Sequence, residues 1–382
     1  MSNWYGNRAK EVYTYRRVTW NPGASDHFQE SSDYGNVTRG SVELSAFSDL
    51  KATCSFDFEG GDTPSTTDLV RIYYSFADDN QESEEVPIGT FFVEYGEISY
   101  TGDTEQGLVA SGSANGSSVL SVLINKKLGA PYTINAGENN ISLAVGIIEG
   151  LGLLTNSPSA SYTTTSPHTF EPDDSWLTVV NWLLTNCTRQ YQAVYPDALG
   201  RVIITPYVAP EKREVSVTFT DDENSIMLPE VSQENDWIET PNVCRLSYQT
   251  DDECLAAAAF NQSGSKASLD SRGGRELTIT EEVSELNGST QAQRISNLQA
   301  LAKQKLIDSS SEIEKVTLTH AYLKNLQPND AIGINYSGTT WQGNITNMQI
   351  SLEVSTPCTT KIRRFVPNSL TITTEGGAVW TA

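Results

Sequence analysis

The alternation of apolar and polar positions changes period along this chain, and each change marks a different kind of element. In "ATCSFDF" (52–58), Ala52, Cys54, Phe56 and Phe58 alternate with Thr53, Ser55 and Asp57, the period of a half-buried strand. "LVRIYYSF" (69–76) follows a turn-rich segment. "VPIGTFFVEYGEISY" (86–100) reads as two further strands with glycines near their bends, and "LVASGSANG" ends the run. These segments predict a compact antiparallel barrel or sandwich from roughly 40 to 115. An aromatic, basic extension with Arg8, Lys10, Arg16 and Arg17 precedes it.

The period then lengthens. "SSVLSVLINKKLG" (117–129) carries Leu120, Leu123, Ile124 and Leu128 at helical spacing behind a serine cap. Residues 139–154 predict a second helix, weakened by internal glycines. "DDSWLTVVNWLLTN" (173–186) has the clearest helical pattern, with an acidic start and Trp176, Val179, Val180, Leu183 and Leu184 on one face. A hairpin over 189–207 turns at Asp197–Gly200. Strands return at 215–222 and 242–250, and 261–276 reads as loop. Residues 289–311 predict an amphipathic helix capped by Ser289, with Ile295, Leu298, Ala302 and Leu306 on one face. In "KVTLTHAY", His320 shares the phase of Val316 and Leu318. The tail past about Arg364 is polar and Thr-rich and reads as poorly ordered.

The predicted fold class is α+β, mainly β. It comprises an N-terminal arm with a first β-barrel (1–115), an α/β insert (116–212) and the first part of a second barrel (213–265). A loop and helix insertion (266–311), the rest of the second barrel (312–365) and a C-terminal tail (366–382) complete it.

Composition narrows the function. The chain's 382 residues suffice for two to four compact units. Its start shows no secretory signal, and no window of about 18 apolar residues predicts insertion in a membrane. Five cysteines, none in a Cys-x-x-Cys pair, predict reduced thiols rather than a disulfide framework or a zinc site. The net charge of −23 disfavours direct nucleic-acid binding. It suits either a solvated surface or a wall past which nucleic acid slides without sticking.

Candidate chemistry is sparse. The bases available to a nucleophile are His27, His168 and His320. There is no G-x-S-x-G elbow, H-E-x-x-H or P-loop. The acidic stretches 76–85 and 220–225 lack the ligand spacing of a Ca²⁺ loop and read as solvated turns. No catalytic residue, cofactor or metal site is predicted. Pro328, Asn329, Asp330 and Gly333 are assigned turn chemistry: proline fixes φ, Asn or Asp bonds the local backbone, and glycine permits close approach. One echo stands out, because "DLVRIYYS" (68–75) and "DAIGINYS" (330–337) share D-x-x-x-I-x-Y-S. It suggests two barrels built on one plan.

Several stretches together resemble phage tail baseplate and tail-tip hub proteins. "DLVRIYYSF…EEVPIGTFFVEYGEISY" is similar to their first barrel, and "DDSWLTVVNWLLTNCTRQYQAVYPDALGRVIITPY" to their helix and hairpin segment. "SIMLPEVSQENDWIETPNV" and "SRGGRELTIT" resemble segments around the second barrel. The family has a tighter Arg-Gly-Arg where this chain has Arg272-Gly273-Gly274-Arg275. "VTLTHAYLKNLQPNDAIGINYSG" is similar to the family's strand, Pro-x-Asp turn and strand. The resemblance runs co-linearly over about 40–355.

It implies two tail-tube-like antiparallel barrels per subunit and a homotrimer forming a pseudo-sixfold ring. That ring joins a hexameric tail tube to threefold tip parts around a DNA-passing lumen. The implied partners are a tail tube or distal tail protein, a tape-measure protein, and tip spike, fibre or receptor-binding proteins. The implied location is the virion tail tip, after assembly in the host cytoplasm. Relatives carry C-terminal peptidase, lysin or receptor-binding extensions, and here such activities are expected in other proteins. The rival expectations are a cell-wall glycan hydrolase using a carboxylate pair and a carbohydrate-binding module using Trp341 or Trp237.

Overall fold

The computed structural model describes residues 10–381 except 23–26, 35–36, 60–68, 78–84, 104–106, 160–161, 188–190, 224, 236–238, 251, 311–313, 325, 355 and 365–369. Arg8, Trp237 and most of the 76–85 acidic stretch lie outside the described residues.

The chain opens with seven strands: β1 (Lys10–Trp20), β2 (Phe28–Asp33), β3 (Val37–Ser45), β4 (Ala52–Glu59), β5 (Leu69–Ala77), β6 (Val86–Asp103) and β7 (Gly107–Ser118). Short elements follow: α1 (Leu120–Asn125), β8 (Tyr132–Ile134), α2 (Asn140–Gly150), β9 (His168–Phe170), α3 (Trp176–Asn181), β10 (Tyr195–Pro196) and β11 (Val202–Ile203). Then come β12 (Val215–Thr220), β13 (Met227–Asn235), β14 (Val243–Gln249), β15 (Glu253–Ser263), β16 (Thr278–Glu282) and α4 (Gln291–Ser310). The last strands are β17 (Glu314–His320), β18 (Ala331–Tyr336), β19 (Thr339–Ser351), β20 (Cys358–Arg364) and β21 (Thr371–Thr381). The molecule is mainly β and divides into two compact units. The first holds Met1–Ala209, Thr319–Pro328 and Thr346–Thr360, and the second holds the remainder.

In the first unit the strand order is β19-β3-β4-β7-β6-β5-β1-β2, and among the described residues it does not close on itself. β4 buries Ala52, Cys54, Phe56 and Phe58 on one face, so its alternation translates directly into a core. Tyr34 meets Phe56 edge-on at 5.2 Å and Phe58 meets Tyr95 at 5.8 Å, the T-shaped geometry that aromatic quadrupoles favour. Residues 86–103 form one strand rather than two. The register slips between Tyr95 and Ile98, and Gly96 lies inside that slip, so the backbone bends without breaking its pairing with β7.

The insert between β7 and residue 209 belongs to this unit. Leu120, Leu123, Ile141, Ile148, Val180 and Leu183 share a core cluster with Val18, Phe28 and Leu69 of the strands. Each such side chain contributes roughly 1.5–3 kcal/mol on burial. α1 begins later than the serine pattern suggests, because Ser118 ends β7 and donates its hydroxyl to the Leu50 carbonyl. α3 is capped by Ser175, whose Oγ accepts from Thr178 N at 3.2 Å. It widens into a π-helical turn at Trp182–Cys187, where the Thr185 hydroxyl takes the Asn181 carbonyl at 2.7 Å.

In the second unit β12 pairs parallel with β18, and β18 pairs antiparallel with β19. A separate four-stranded sheet, β16-β14-β15-β21, carries α4. Leu298, Ala302 and Leu306 of α4 are buried with Cys244, Leu246, Leu255, Ala257 and Ala259. β14 was expected in the second barrel but belongs to this layer. The C-terminal residues, expected as a loosely ordered tail, form β21, which pairs with β15 from Ser263↔Thr371 to Glu253↔Thr381. The ladder pairs polar residues, with Ile372 packed against the α4 core, which is why its composition reads as a tail. α4 starts with Thr290 Oγ1 accepting from Gln293 N, while Gln293 Oε1 accepts from the amides of Ser289 and Thr290. No sheet closes into a barrel among the described residues.

The two echo segments share a hairpin and differ in their other neighbour. β5 pairs antiparallel with β1 and β6. β18 pairs antiparallel with β19 but parallel with β12. Ile72 and Ile334, the common isoleucines, are both fully buried.

Candidate functional site: the turn at 328–333

Pro328 and Asn329 form the turn that leads into β18. Asn329 has φ 75°, a left-handed conformation that asparagine tolerates better than most residues. Its amide donates to the Ile345 carbonyl at 2.8 Å, and the Ile345 amide donates to the Asp330 carbonyl at 2.9 Å. These bonds continue the β18–β19 ladder past Ala331↔Asn344. The Asn329 carbonyl also accepts from Arg213 Nη1 at 2.9 Å and from Asn344 Nδ2 at 3.1 Å. Neither Arg213 nor Asn344 carries a turn signal in the sequence, and Arg213 lies 116 positions away.

Gly333 is buried where β18 passes β12. A Cβ there would sit 2.9 Å from Thr218 Oγ1, on a β-branched side chain with little freedom to move. Gly333→Val is therefore expected to cost about 2 kcal/mol by overpacking. Asn329→Ala should cost about 1 kcal/mol through its left-handed φ, whereas Asn329→Gly should be tolerated. Urea unfolding of the three variants checks the ranking, and equal losses for Ala and Gly at 329 would contradict the conformational cause.

The three histidines occupy structural positions in the first unit. His27 Nδ1 lies 3.0 Å from the Gly152 carbonyl, which also accepts from Trp20 Nε1 at 3.1 Å. His168 stacks on Trp182 with ring centroids 4.2 Å apart. His320 is fully buried, as are Val316 and Leu318 of the same strand phase. Its Nδ1–H donates to the Ala321 carbonyl at 2.7 Å, so Nε2 accepts from the Thr360 hydroxyl at 2.7 Å. Burial holds this imidazole down to about 4, against a weaker upward pull from the Ala321 carbonyl.

The His320 geometry predicts a pH dependence. The folded pKa lies below the unfolded value near 6.5. The neutral ring's contribution is therefore complete above that value and is lost as pH falls toward 4. Relative to His320→Gln, the wild-type unfolding free energy should fall by about 2 kcal/mol between pH 7.5 and pH 5. Parallel pH profiles of the two proteins would contradict this.

The acids at the far end of β18 bind a backbone amide and a hydroxyl. Asp221 Oδ2 accepts from Ser337 N at 2.6 Å, and Asp222 Oδ2 accepts from the Thr220 hydroxyl at 2.8 Å. Among the described residues no three His, Cys, Asp or Glu side chains converge as a metal site needs. No described helix is long and apolar enough to cross a membrane. What the turn does chemically is position backbone: it continues the β18–β19 ladder.

No family model and no curated protein matches this sequence. Solved structures do match its fold. A tail protein from Neisseria meningitidis MC58 aligns with TM-score 0.61 at 12% identity, over 94% of this chain and 98% of that one. A 43 kDa tail protein of prophage MuSo2 from Shewanella oneidensis aligns with TM-score 0.56 at 10% identity, over 91% and 98%. A prophage tail protein from Listeria monocytogenes EGD-e aligns with TM-score 0.51 at 12% identity, over 93% and 95%. The chain thus has the fold of these tail proteins.

Proposed function

We propose that this chain is a structural hub of the tail tip or baseplate of a bacteriophage or prophage-derived particle. Three copies form a ring in which two tube-like β units per subunit give pseudo-sixfold symmetry. The ring connects a hexameric tail tube to threefold tip or fibre proteins around a lumen through which DNA passes. The observation that carries this reading is the fold match over 94% of this chain and 98% of the Neisseria tail protein.

The division into two compact units and the shared β5–β6 and β18–β19 hairpins support a duplicated plan. The charge supports the lumen. Three copies at −23 carry −69, a wall that repels polyanionic DNA. The mechanism is geometric and not enzymatic: adapt symmetry, line the tube end, and anchor the neighbouring parts. Those parts are a tail tube or distal tail protein, a tape-measure protein, and spike, fibre or receptor-binding proteins. The location is the virion, after assembly in the host cytoplasm.

Deleting the chain from a producing strain tests this reading. The expected result is particles without joined tails, restored by supplying the chain in trans, with no release of cell-wall saccharide by the purified protein. Normal tails in its absence would refute the hub role. Glycan release abolished by one Asp or Glu substitution would favour a hydrolase.

A further inference from the structure

Within the first unit, two stretches of the insert are built alike. Residues 126–150 hold β8 and α2, and residues 162–186 hold β9, α3 and most of its π-helical turn. An offset of 36 residues, as from Tyr132 to His168, carries the hydrogen bonds of the first stretch onto those of the second. The Asn140 amide donates to the Tyr162 carbonyl at 2.8 Å, and its counterpart Trp176 donates to Lys126 at 3.2 Å. Thr164 N donates to Glu138 O at 3.1 Å, and Leu128 N donates to Asp174 O at 3.1 Å. Glu138 N donates to Asn135 O at 3.4 Å, and Asp174 N donates to Glu171 O at 3.0 Å. The caps correspond as well. Asn139 Oδ1 accepts from Ser142 N at 3.0 Å, and Ser175 Oγ accepts from Thr178 N at 3.2 Å.

The two stretches also meet symmetrically. β8 and β9 pair antiparallel, Tyr132 with Phe170, Thr133 with Thr169 and Ile134 with His168. Thr133 and Thr169 are counterparts, so a twofold axis passes between them, where their hydroxyls meet at 2.8 Å. The segment leading into each strand bridges the cap of the other stretch: Lys127 with Ser175, and Thr163 with Asn139. The two are therefore intertwined. Their cores agree too, since Ile134, Ile141 and Ile148 and their counterparts Phe170, Leu177 and Leu184 are all buried in one cluster. Only Pro131/Pro167 and Thr133/Thr169 are identical in sequence. What is shared is apolar position, cap chemistry and main-chain bonding. Two unrelated segments packed together have no reason to keep one offset across strand, turn, cap and core.

We infer that the insert is a duplicated βα unit whose two copies, intertwined about a pseudo-twofold axis, open and close as one block. Neither copy completes its ribbon or its bridged cap without the other, so loosening one loosens both. The block is fastened to the strands beyond each copy. Trp20 Nε1 donates to the Gly152 carbonyl at 3.1 Å, just after the first. Arg71 and Thr90 donate to the Leu199 and Ala198 carbonyls, in the hairpin after the second. The insert is thereby a stiff brace on the first unit rather than a hinged flap. This role stands apart from the hub reading and does not depend on it.

Hydrogen–deuterium exchange of the full chain, read by mass spectrometry, tests this with the cap variants Asn139→Ala and Ser175→Ala. In the wild type the amides of α2 and α3 should share one opening equilibrium. Each variant removes one cap and should speed exchange in both helices alike, by about fivefold. β4, whose buried residues lie outside this core cluster, should keep its wild-type exchange. Asn139→Ser and Ser175→Asn give each cap its counterpart's residue and should retain wild-type protection. The inference is overturned if neither helix responds, or if acceleration stays in the helix that carries the substitution. It is also overturned if the two alanine variants differ by more than about threefold, since equivalent caps lose equal amounts. Equal acceleration of β4 would overturn it as well, because the whole unit and not the insert would then be what opens.

Discussion

Arg71→Met is expected to lower the stability of the first unit by about 2 kcal/mol, the scale for losing hydrogen bonds made by a buried charged group. Arg71 is 6% exposed and joins four segments. Its guanidinium donates to Glu30 at 2.6 Å, Thr90 Oγ1 at 2.8 Å and the Leu199 carbonyl at 3.0 Å. Thr90 passes the link on to the Ala198 carbonyl at 2.9 Å. One side chain thereby ties β2, β5 and β6 to the hairpin turn of the insert. Burial raises the Glu30 pKa, but hydrogen bonds from Tyr73, Arg71 and Arg16 outweigh it and leave the carboxyl below its ordinary range. Methionine fills similar volume, so the loss reports the polar links rather than a cavity. The measurement is the urea midpoint, together with proteolytic nicking near 197–200. An unchanged midpoint would show that these bonds merely replace equivalent bonds to water.

Gly116→Val should be at least as damaging, costing about 3 kcal/mol or more by overpacking. Gly116 lies opposite Cys54 in the β4–β7 register. A Cβ would sit 2.4 Å from Cys54 Sγ and 2.9 Å from Phe91 Cβ. Phe91 is fully buried and Cys54 is 6% exposed, so neither neighbour has free space to enter. Cys54→Ala should relieve part of the loss in the double variant, a coupling that a double-mutant cycle reads directly. Strict additivity would place the strain elsewhere.

These two sites show what a single sequence can and cannot carry. The face of β4 was legible because a half-buried strand writes its burial in its own alternation. That Cys54 requires a glycine opposite was not, because the partner strand arrives about sixty positions later. The apolar stripe of α4 and the turn at Asp197–Gly200 are local signals and were readable. β21 was missed because its polar residues pair along a main-chain ladder with β15, which leaves little apolar alternation. The separate β16-β14-β15-β21 sheet was missed because strand pairing is long-range while alternation is local. At the candidate site, Pro328, Asn329, Asp330 and Gly333 could be named from turn chemistry. Arg213 and Asn344, which hold the Asn329 carbonyl, carry no turn signal. His320, the most conspicuous candidate base, is a buried neutral ring bonded to Thr360.

The echo between residues 68–75 and 330–337 is similarly partial. Both copies place a fully buried isoleucine in the first strand of an antiparallel hairpin. Their second neighbours run in opposite senses, so any duplicated plan has diverged in how each strand is flanked.

Electron cryo-microscopy of the assembled particle, with this subunit assigned, tests the central claim most directly. The account predicts three copies in a ring at the end of the tail tube, two β units of each facing the tube and threefold parts on the opposite side. A particle that lacks the subunit, or that carries it as single copies on fibres away from the tube axis, would contradict it.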